Sequence, residues 1–92
     1  MVRVSENQNT LQTSEGMIQQ IDLINRAVTV RQEQSARTFD VPPACVVRLN
    51  GERVKLRMLQ QRDRVSVHYR SAAGGLVARS IEARTRIGSA QT

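Results

Sequence analysis

The residues from Arg64 to Arg70 alternate strictly between polar and apolar side chains. Val65, Val67 and Tyr69 share one face, and the polar residues between them share the other. A period of two residues places alternate side chains on opposite faces of a β-strand, whereas a helix needs a period of 3.6. The same period recurs elsewhere and the helical period does not, so the sequence predicts an all-β fold.

Three further segments carry the alternation of half-buried strands. Residues 27–31 and 38–41 each place two apolar side chains on one face, and residues 45–49 do so with Cys45 among them. The last of these segments ends at Asn50-Gly51, a pair that tolerates positive φ and favours a tight turn. A sequence of short strands joined by turns is typical of a small sandwich or barrel.

Two segments share an irregularity in this pattern. Residues 18–22 and 78–82 each carry apolar residues three apart, followed by an acid. A one-residue bulge in each segment returns both apolar side chains to one face and coils the strand sharply, as a small barrel requires. The second segment belongs to a strand from Leu76 to about Arg84, which follows a hairpin turn at Gly74-Gly75.

Residues 54–63 predict the single helical element. Leu56 and Leu59 are three residues apart and no β-branched residue follows Val54, which favours one turn of helix plugging a barrel end. Pro42-Pro43 interrupts strand pairing earlier in the chain. The predicted fold is a small antiparallel barrel of five or six strands, OB-like or SH3-like, with one short helical turn.

A chain of 92 residues forms one small domain with a shallow core. We expect residues 1–15 to be a disordered tail, because they are polar and have no sustained apolar period, and residues 85–92 to be a flexible tail. The barrel then spans residues 16–84. Its predicted interior consists of Ile18, Ile21, Val28, Val30, Phe39, Val41, Val47, Leu49, Val54, Leu56, Leu59, Val65, Val67, Tyr69 and Ile81.

The sequence predicts a cytoplasmic protein with no membrane partner. The polar start of the chain lacks the apolar stretch of a signal peptide, and no run of 18 apolar residues occurs. The single cysteine, Cys45, forms no internal disulfide and suits a reducing compartment.

No catalytic, cofactor or metal site is predicted. The chain has one histidine and one cysteine, with no close pair of metal ligands. Ser66 and His68 share the outer face of an exposed strand that offers no desolvated pocket, and Asp63 has the parity of the inward side chains. Cys45 also has inward parity, so we interpret it as a core residue rather than a reactive thiol.

The formal charge of +6 is concentrated in the second half of the chain, where residues 48–92 carry ten basic and three acidic groups, a balance of +7. Such asymmetry favours an anionic partner. We expect contacts to nucleic-acid phosphates that are weakly sequence-selective, since both aromatic residues have inward parity and none is free to stack on bases. The predicted contact residues are Arg48, Lys55, Arg57, Arg62, Arg64, His68 and Arg70.

The alternative interpretation is a protein–protein accessory or structural barrel with no nucleic-acid binding. Its arginines then keep the surface soluble or pair with an acidic protein. Unpaired barrel edges also allow a second copy to add to the sheet. Both interpretations are non-enzymatic and need no cofactor.

The chain carries six short motifs in a fixed order. They are Gly16-Met17-Ile18-x-x-Ile21-Asp22, Val28-Thr29-Val30, Phe39-x-Val41-Pro42, Leu49-Asn50-Gly51-Glu52, Leu59-Gln60-x-x-Asp63-Arg64-Val65-x-Val67 and Ala78-x-x-Ile81-Glu82. In order and spacing these motifs resemble a widespread and uncharacterised bacterial family of small β-barrel domains with OB-like topology, over about residues 16–83. The resemblance implies the fold and a binding or accessory role, and it carries no catalytic residues.

The chain departs from this family in two respects. It has Gln61-Arg62-Asp63 where a Pro-Gly-Asp turn is usual. Many members are exported, whereas no leader is expected here.

Overall fold

The computed structural model describes residues 11–85, which form seven β-strands and one short 3₁₀ turn. Residues 1–10 and 86–92, where most of the two predicted tails falls, lie outside the described residues. The 3₁₀ turn at Leu56–Met58 is named the plug turn. The strands are β1 (Gln12–Asp22), β2 (Ala27–Arg31), β3 (Ala36–Asp40), β4 (Val46–Leu49), β5 (Glu52–Arg53), β6 (Arg64–Ala72) and β7 (Gly75–Arg84).

Five of the strands close into a barrel, which confirms the predicted fold class. β1 pairs with β2 and β6, β2 pairs with β3, and β6 pairs with β7, all antiparallel. A short parallel pairing of β3 with β7, at Phe39–Leu76 and Asp40–Val77, closes the ring. The second half of β7 pairs in parallel with β4, which carries β5 on its other side. The parallel pairings distinguish this barrel from a simple antiparallel meander.

Bulges coil β1 and β7 at the positions that the sequence predicts. The residue skipped in the cross-strand register is Gln19 in β1 and Arg79 in β7. In β7 the bulge turns Ala78 and Ile81 to the same side, and both are fully buried. A bulge adds twist and bend to its strand, which allows so few strands to close a ring.

The predicted interior is observed with small changes. Ile21, Leu49 and Val54 are partly buried against the core, and the other predicted residues are fully buried. Cys45 is buried, as its parity indicates, and Ala83 also belongs to the core. Alternation in the strands therefore identifies the core well, because inward positions are set by parity alone.

The plug turn packs its leucines into the barrel as predicted. Leu56 and Leu59 are each 4% exposed, whereas Met58 between them is 50% exposed. Asp63 is buried next to this turn, and its Oδ2 accepts a hydrogen bond from the backbone N–H of Gln60 at 3.0 Å. Asp63 therefore points inward in order to hydrogen-bond the backbone that follows the plug turn.

Strand β1 begins at Gln12, so the predicted boundary at residue 16 is wrong for residues 12–15. These residues pair with β6 although the inward ones are polar. Ser14 is buried and accepts a hydrogen bond from the side-chain amide of Gln32, and Gln12 Oε1 accepts one from the Tyr69 hydroxyl at 3.4 Å. Because Ser14, the buried side chain of this segment, is polar and hydrogen-bonded, this part of the strand shows no apolar period.

The turn between β1 and β2 is held by the carboxylate of Asp22. Its Oδ1 accepts hydrogen bonds from the backbone N–H groups of Asn25, at 3.0 Å, and Ile24, at 3.1 Å. Its Oδ2 accepts a third from Asn25 Nδ2 at 2.9 Å. These bonds, above all those from Asn25, lower the pKa of Asp22, since they stabilise the charged form. This acid therefore has a structural role, as the sequence indicates.

Candidate functional site

Three arginines stand in one row across four neighbouring strands of the outer surface. In the strand register Met17 of β1 lies opposite Arg31 of β2 on one side and Arg64 of β6 on the other. Arg64 in turn lies opposite Arg84 of β7. All three arginines are exposed and Met17 is partly buried between them. We call Arg31, Arg64 and Arg84 the arginine row.

The guanidinium groups of the arginine row have no ion-pair partner within residues 11–85. In this part of the chain the one ion pair joins Arg48 Nη1 to Glu82 Oε2, at 3.8 Å. Like charges directly opposite each other on neighbouring strands destabilise a sheet. The row therefore holds positive charge that no ion pair within residues 11–85 neutralises.

The arginine row lies in an open groove that crosses the sheet. One end is a cavity of about 720 Å³ beside the turn between β2 and β3, lined by Arg31, Arg64 and Glu15 among others. The groove continues through a cavity of about 340 Å³ that shares Arg64 and Glu15 and adds Arg84 and Glu82. It ends in a cavity of about 170 Å³ at Arg48, Glu82 and Arg84. We call this continuous surface the arginine groove.

Gly16 lines the groove, and its missing side chain lets β1 and β2 approach each other closely. A Cβ placed on Gly16 would collide with the carbonyl oxygen of Arg31 and would lie 2.9 Å from Cγ1 of Val30. The glycine therefore lets β2 approach β1 closely just where the groove begins. The neighbouring turn is fixed by the hydrogen bond from the backbone N–H of Gln32 to the carbonyl of Ser35, at 2.7 Å.

Hydrogen bonding and ring packing hold the two aromatic side chains inside the barrel. Arg37 Nη1 donates to the Tyr69 hydroxyl at 2.7 Å, and the ring of Tyr69 lies 4.9 Å from that of Phe39. Both rings are buried, as their parity predicts. No aromatic side chain among the described residues is therefore available for stacking on a ligand.

The structure brings together only two of the seven residues predicted to contact nucleic acid. Arg48 and Arg64 both line the arginine groove. The other five, which lie on β6 beyond the groove or around the plug turn, line none of its three cavities. They are His68, Arg70, Lys55, Arg57 and Arg62.

His68 and Arg62 have local structural roles. His68 Nδ1 shares a hydrogen bond with Thr13 Oγ1 at 3.1 Å. Arg62 adopts a positive φ of 76° in the turn before β6, and its backbone N–H donates to the carbonyl of Ile18 at 2.8 Å. Lys55, Arg57 and Arg70 are exposed.

Sequence reasoning did not single out Arg31 and Arg84, which complete the row. Arg31 lies at the end of β2, within a half of the chain whose charges balance, and Arg84 ends β7. Their proximity to Arg64 depends on the register of three strand pairs. Alternation gives the face of a side chain but does not give its cross-strand neighbour.

The described residues present no cluster of metal ligands. Among residues 11–85 no three side chains of His, Cys, Asp or Glu come together. The softer donors lie apart, since His68 and Met17 are at register positions about 13 Å from each other along the sheet. Cys45 is inside the core, where burial raises the pKa of its thiol to about 11 against the weaker opposing effect of Arg26 and Arg79. A protonated, buried thiol is a poor metal ligand and a poor nucleophile.

Solved structures of the same fold are found among forms of CusF. Apo-CusF from Escherichia coli superposes with a TM-score of 0.69 at 15% identity, covering 90% of this chain and 98% of that chain. Silver-bound CusF from Escherichia coli gives 0.67 at 14% identity, covering 85% and 96%. A copper(II) form of a CusF variant from Escherichia coli gives 0.66 at 13% identity, covering 83% and 94%. The small OB-like barrel is thus shared, at an identity that shows the fold alone.

No protein-family model matches the chain, and no curated protein sequence matches it. The resemblance to the uncharacterised bacterial family is therefore supported only as far as a small barrel. The particular motif pattern stays a prediction.

The predicted binding of nucleic acid is wrong. The structural neighbours are CusF forms whose named ligands are silver and copper ions, so they lead away from nucleic acid. The three glutamates in the arginine groove also disfavour a phosphate backbone there. The comparisons agree better with the alternative, an accessory barrel without nucleic-acid binding.

Proposed function

We propose that the chain is a non-catalytic accessory barrel that acts by binding another protein through the arginine groove. The observation that carries this proposal is the arginine row, whose three guanidinium groups have no ion-pair partner within residues 11–85. Carboxylates of a partner protein would neutralise this charge and relieve the repulsion between Arg64 and Arg84.

Binding of silver or copper is a property of the CusF structures that we do not carry over to this chain. The metals prefer thiolate, thioether and imidazole ligands. Among residues 11–85 the side chains of these kinds belong to Met17 on β1, Cys45 before β4, Met58 in the plug turn and His68 on β6. An accessory role is also what the resemblance to the uncharacterised barrel family implies. A cytoplasmic location is part of the proposal, because the single cysteine forms no internal disulfide.

The experiment compares two charge reversals on the same strand and the same outer face. Arg64→Glu changes the groove, and Arg70→Glu makes the same change of charge outside it. Wild type and both variants are immobilised, exposed to nuclease-treated lysate of the source organism, and the bound proteins are quantified by mass spectrometry. Circular dichroism confirms that each variant is folded.

We expect one protein to bind wild type and Arg70→Glu in stoichiometric amount and to be reduced at least tenfold on Arg64→Glu. Equal capture by the two variants would overturn the proposal, as would the absence of any bound protein from the nuclease-treated lysate. A different outcome is that the chain binds a second copy of itself, seen as a dimer in gel filtration. If Arg64→Glu leaves that dimer intact, binding takes place at a sheet edge and not in the arginine groove.

A further inference from the structure

The arginine groove is not uniformly positive. Its three cavities are lined by four arginines and three glutamates. Glu33 lies in the turn between β2 and β3, and Glu15 and Glu82 lie on the floor. All three glutamates are exposed to solvent.

The floor charges form two parallel rows. Glu15 on β1, Ser66 on β6 and Glu82 on β7 lie opposite one another in the register. They stand two residues along each strand from Met17, Arg64 and Arg84, so both rows are on the outer face and about 7 Å apart. The arginine row is therefore flanked on β1, β6 and β7 by a row that carries two carboxylates, of which that of Glu82 lies 3.8 Å from Arg48 Nη1.

This arrangement discriminates between ligands by charge density. A polyphosphate chain carries a negative charge on every phosphate, and a DNA duplex carries about one charge per 1.7 Å. With charges this closely spaced, a ligand that lies along the arginine row places several of them within about 7 Å of the row that holds Glu15 and Glu82. An extended peptide presents side chains to one face only every 7 Å or so, so it places fewer charges there.

The dimensions of the groove fit such a peptide. The arginine row crosses from β2 to β7, and the groove continues to Arg48 on β4, which is about 19 Å at 4.8 Å per strand. About six extended residues span this length. Arg64 and Arg84, being directly opposite, are close enough to hold one carboxylate between them by charge-assisted hydrogen bonds.

We propose that the groove takes an extended peptide segment with spaced carboxylates, and that Glu15 and Glu82 exclude densely charged polyanions from it. This inference rests on the proposed function and names the chemistry of the partner. Arg31, Arg64 and Arg84 attract the segment, and the two glutamates set the selectivity.

The test measures binding of two probes by fluorescence anisotropy at constant ionic strength. One probe is a fluorescein-labelled peptide of three Asp-Ser repeats, and the other is labelled inorganic polyphosphate. The selectivity variant is Glu15→Gln with Glu82→Gln. The matched control is Asp40→Asn with Glu52→Gln, which changes the net charge equally at exposed positions outside the groove.

We expect the selectivity variant to bind polyphosphate at least fivefold more tightly than wild type, and the control less than twofold more tightly. Peptide affinity should stay within twofold in both variants and fall at least tenfold in Arg64→Glu. Equal polyphosphate affinity in the selectivity variant and the control would overturn the role of the glutamates.

Failure of this inference is distinguishable from failure of the proposed function. If wild type does not bind the acidic peptide but Arg64→Glu still loses its protein partner from lysate, the inference is wrong and the proposed function stands. If neither the peptide nor any protein depends on Arg64, both are overturned.

Discussion

Arg64 and Arg84 face each other directly across β6 and β7, and neither forms an ion pair within the described residues. We expect Arg84→Glu to stabilise the fold by about 0.2–1 kcal/mol, because the repulsion becomes an attraction. The free energy of unfolding is measured by urea denaturation. The control is Arg70→Glu, which makes the same charge change opposite Val77.

The same substitution should weaken binding of the acidic peptide at least tenfold. If Arg84→Glu makes the barrel more stable but weakens peptide binding, the positive charge of Arg84 serves binding at a cost in stability. A variant less stable than wild type would contradict the interpretation of the row as uncompensated charge.

Gly16→Ala should destabilise the barrel by about 1–3 kcal/mol, since the added Cβ collides with the carbonyl oxygen of Arg31. Thermal and urea unfolding both measure this loss. Gly74→Ala provides the comparison, because nothing lies within 4 Å of a Cβ there. If the two alanine variants unfold at the same urea concentration, the close approach of β2 to β1 is not as described.

Leu56→Ala should cost about 2–5 kcal/mol, because the side chain is 4% exposed inside the barrel and its loss leaves a cavity. Met58→Ala, in the same turn but at a position that is 50% exposed, should cost less than about 0.5 kcal/mol. Equal losses would show that the turn does not plug the barrel.

The thiol of Cys45 should make the fold less stable in alkaline solution. Its pKa rises from 9.0 to about 11 on folding, so above pH 9 the unfolded chain loses this proton while the folded chain keeps it. The contribution is therefore complete below pH 9 and is lost as the pH rises through 11, at a cost of about 2–3 kcal/mol.

The measurement is the free energy of unfolding between pH 8 and pH 11, with Cys45→Ala as the comparison. The rest of the chain is the same in both proteins, so the difference between the two curves isolates the thiol. Parallel curves would show that the folded and unfolded thiols titrate alike.

The fold could be predicted because closing a small barrel leaves a local trace in the sequence. Parity identifies the inward side chains of β6, and the three-residue spacing from Ala78 to Ile81 indicates the bulge at Arg79. The first residues of β1 left no such trace, since Ser14 is a buried polar residue whose partner, Gln32, is eighteen positions away. An apolar pattern cannot report a polar interior.

The candidate site was predictable only in part, for a different reason. Arg48 and Arg64 were recognised as outward and basic, but the groove also needs Arg31 and Arg84, and their proximity depends on strand register. The net charge of each half of the chain did not identify the groove, because both halves contribute arginines and glutamates to it. Net charge describes a whole surface, whereas a site depends on which charges are neighbours.

Strand β7 changes neighbours along its length, from β3 at Leu76 and Val77 to β4 at residues 80–83, while β6 pairs with its other edge. No earlier strand can complete the barrel without it. During synthesis the ring can therefore close only after β7 has left the ribosome. Pairings between residues far apart in the sequence favour slow, all-or-none folding. Arg84 arrives with that strand, so a nascent chain has no complete groove with which to capture a partner too early.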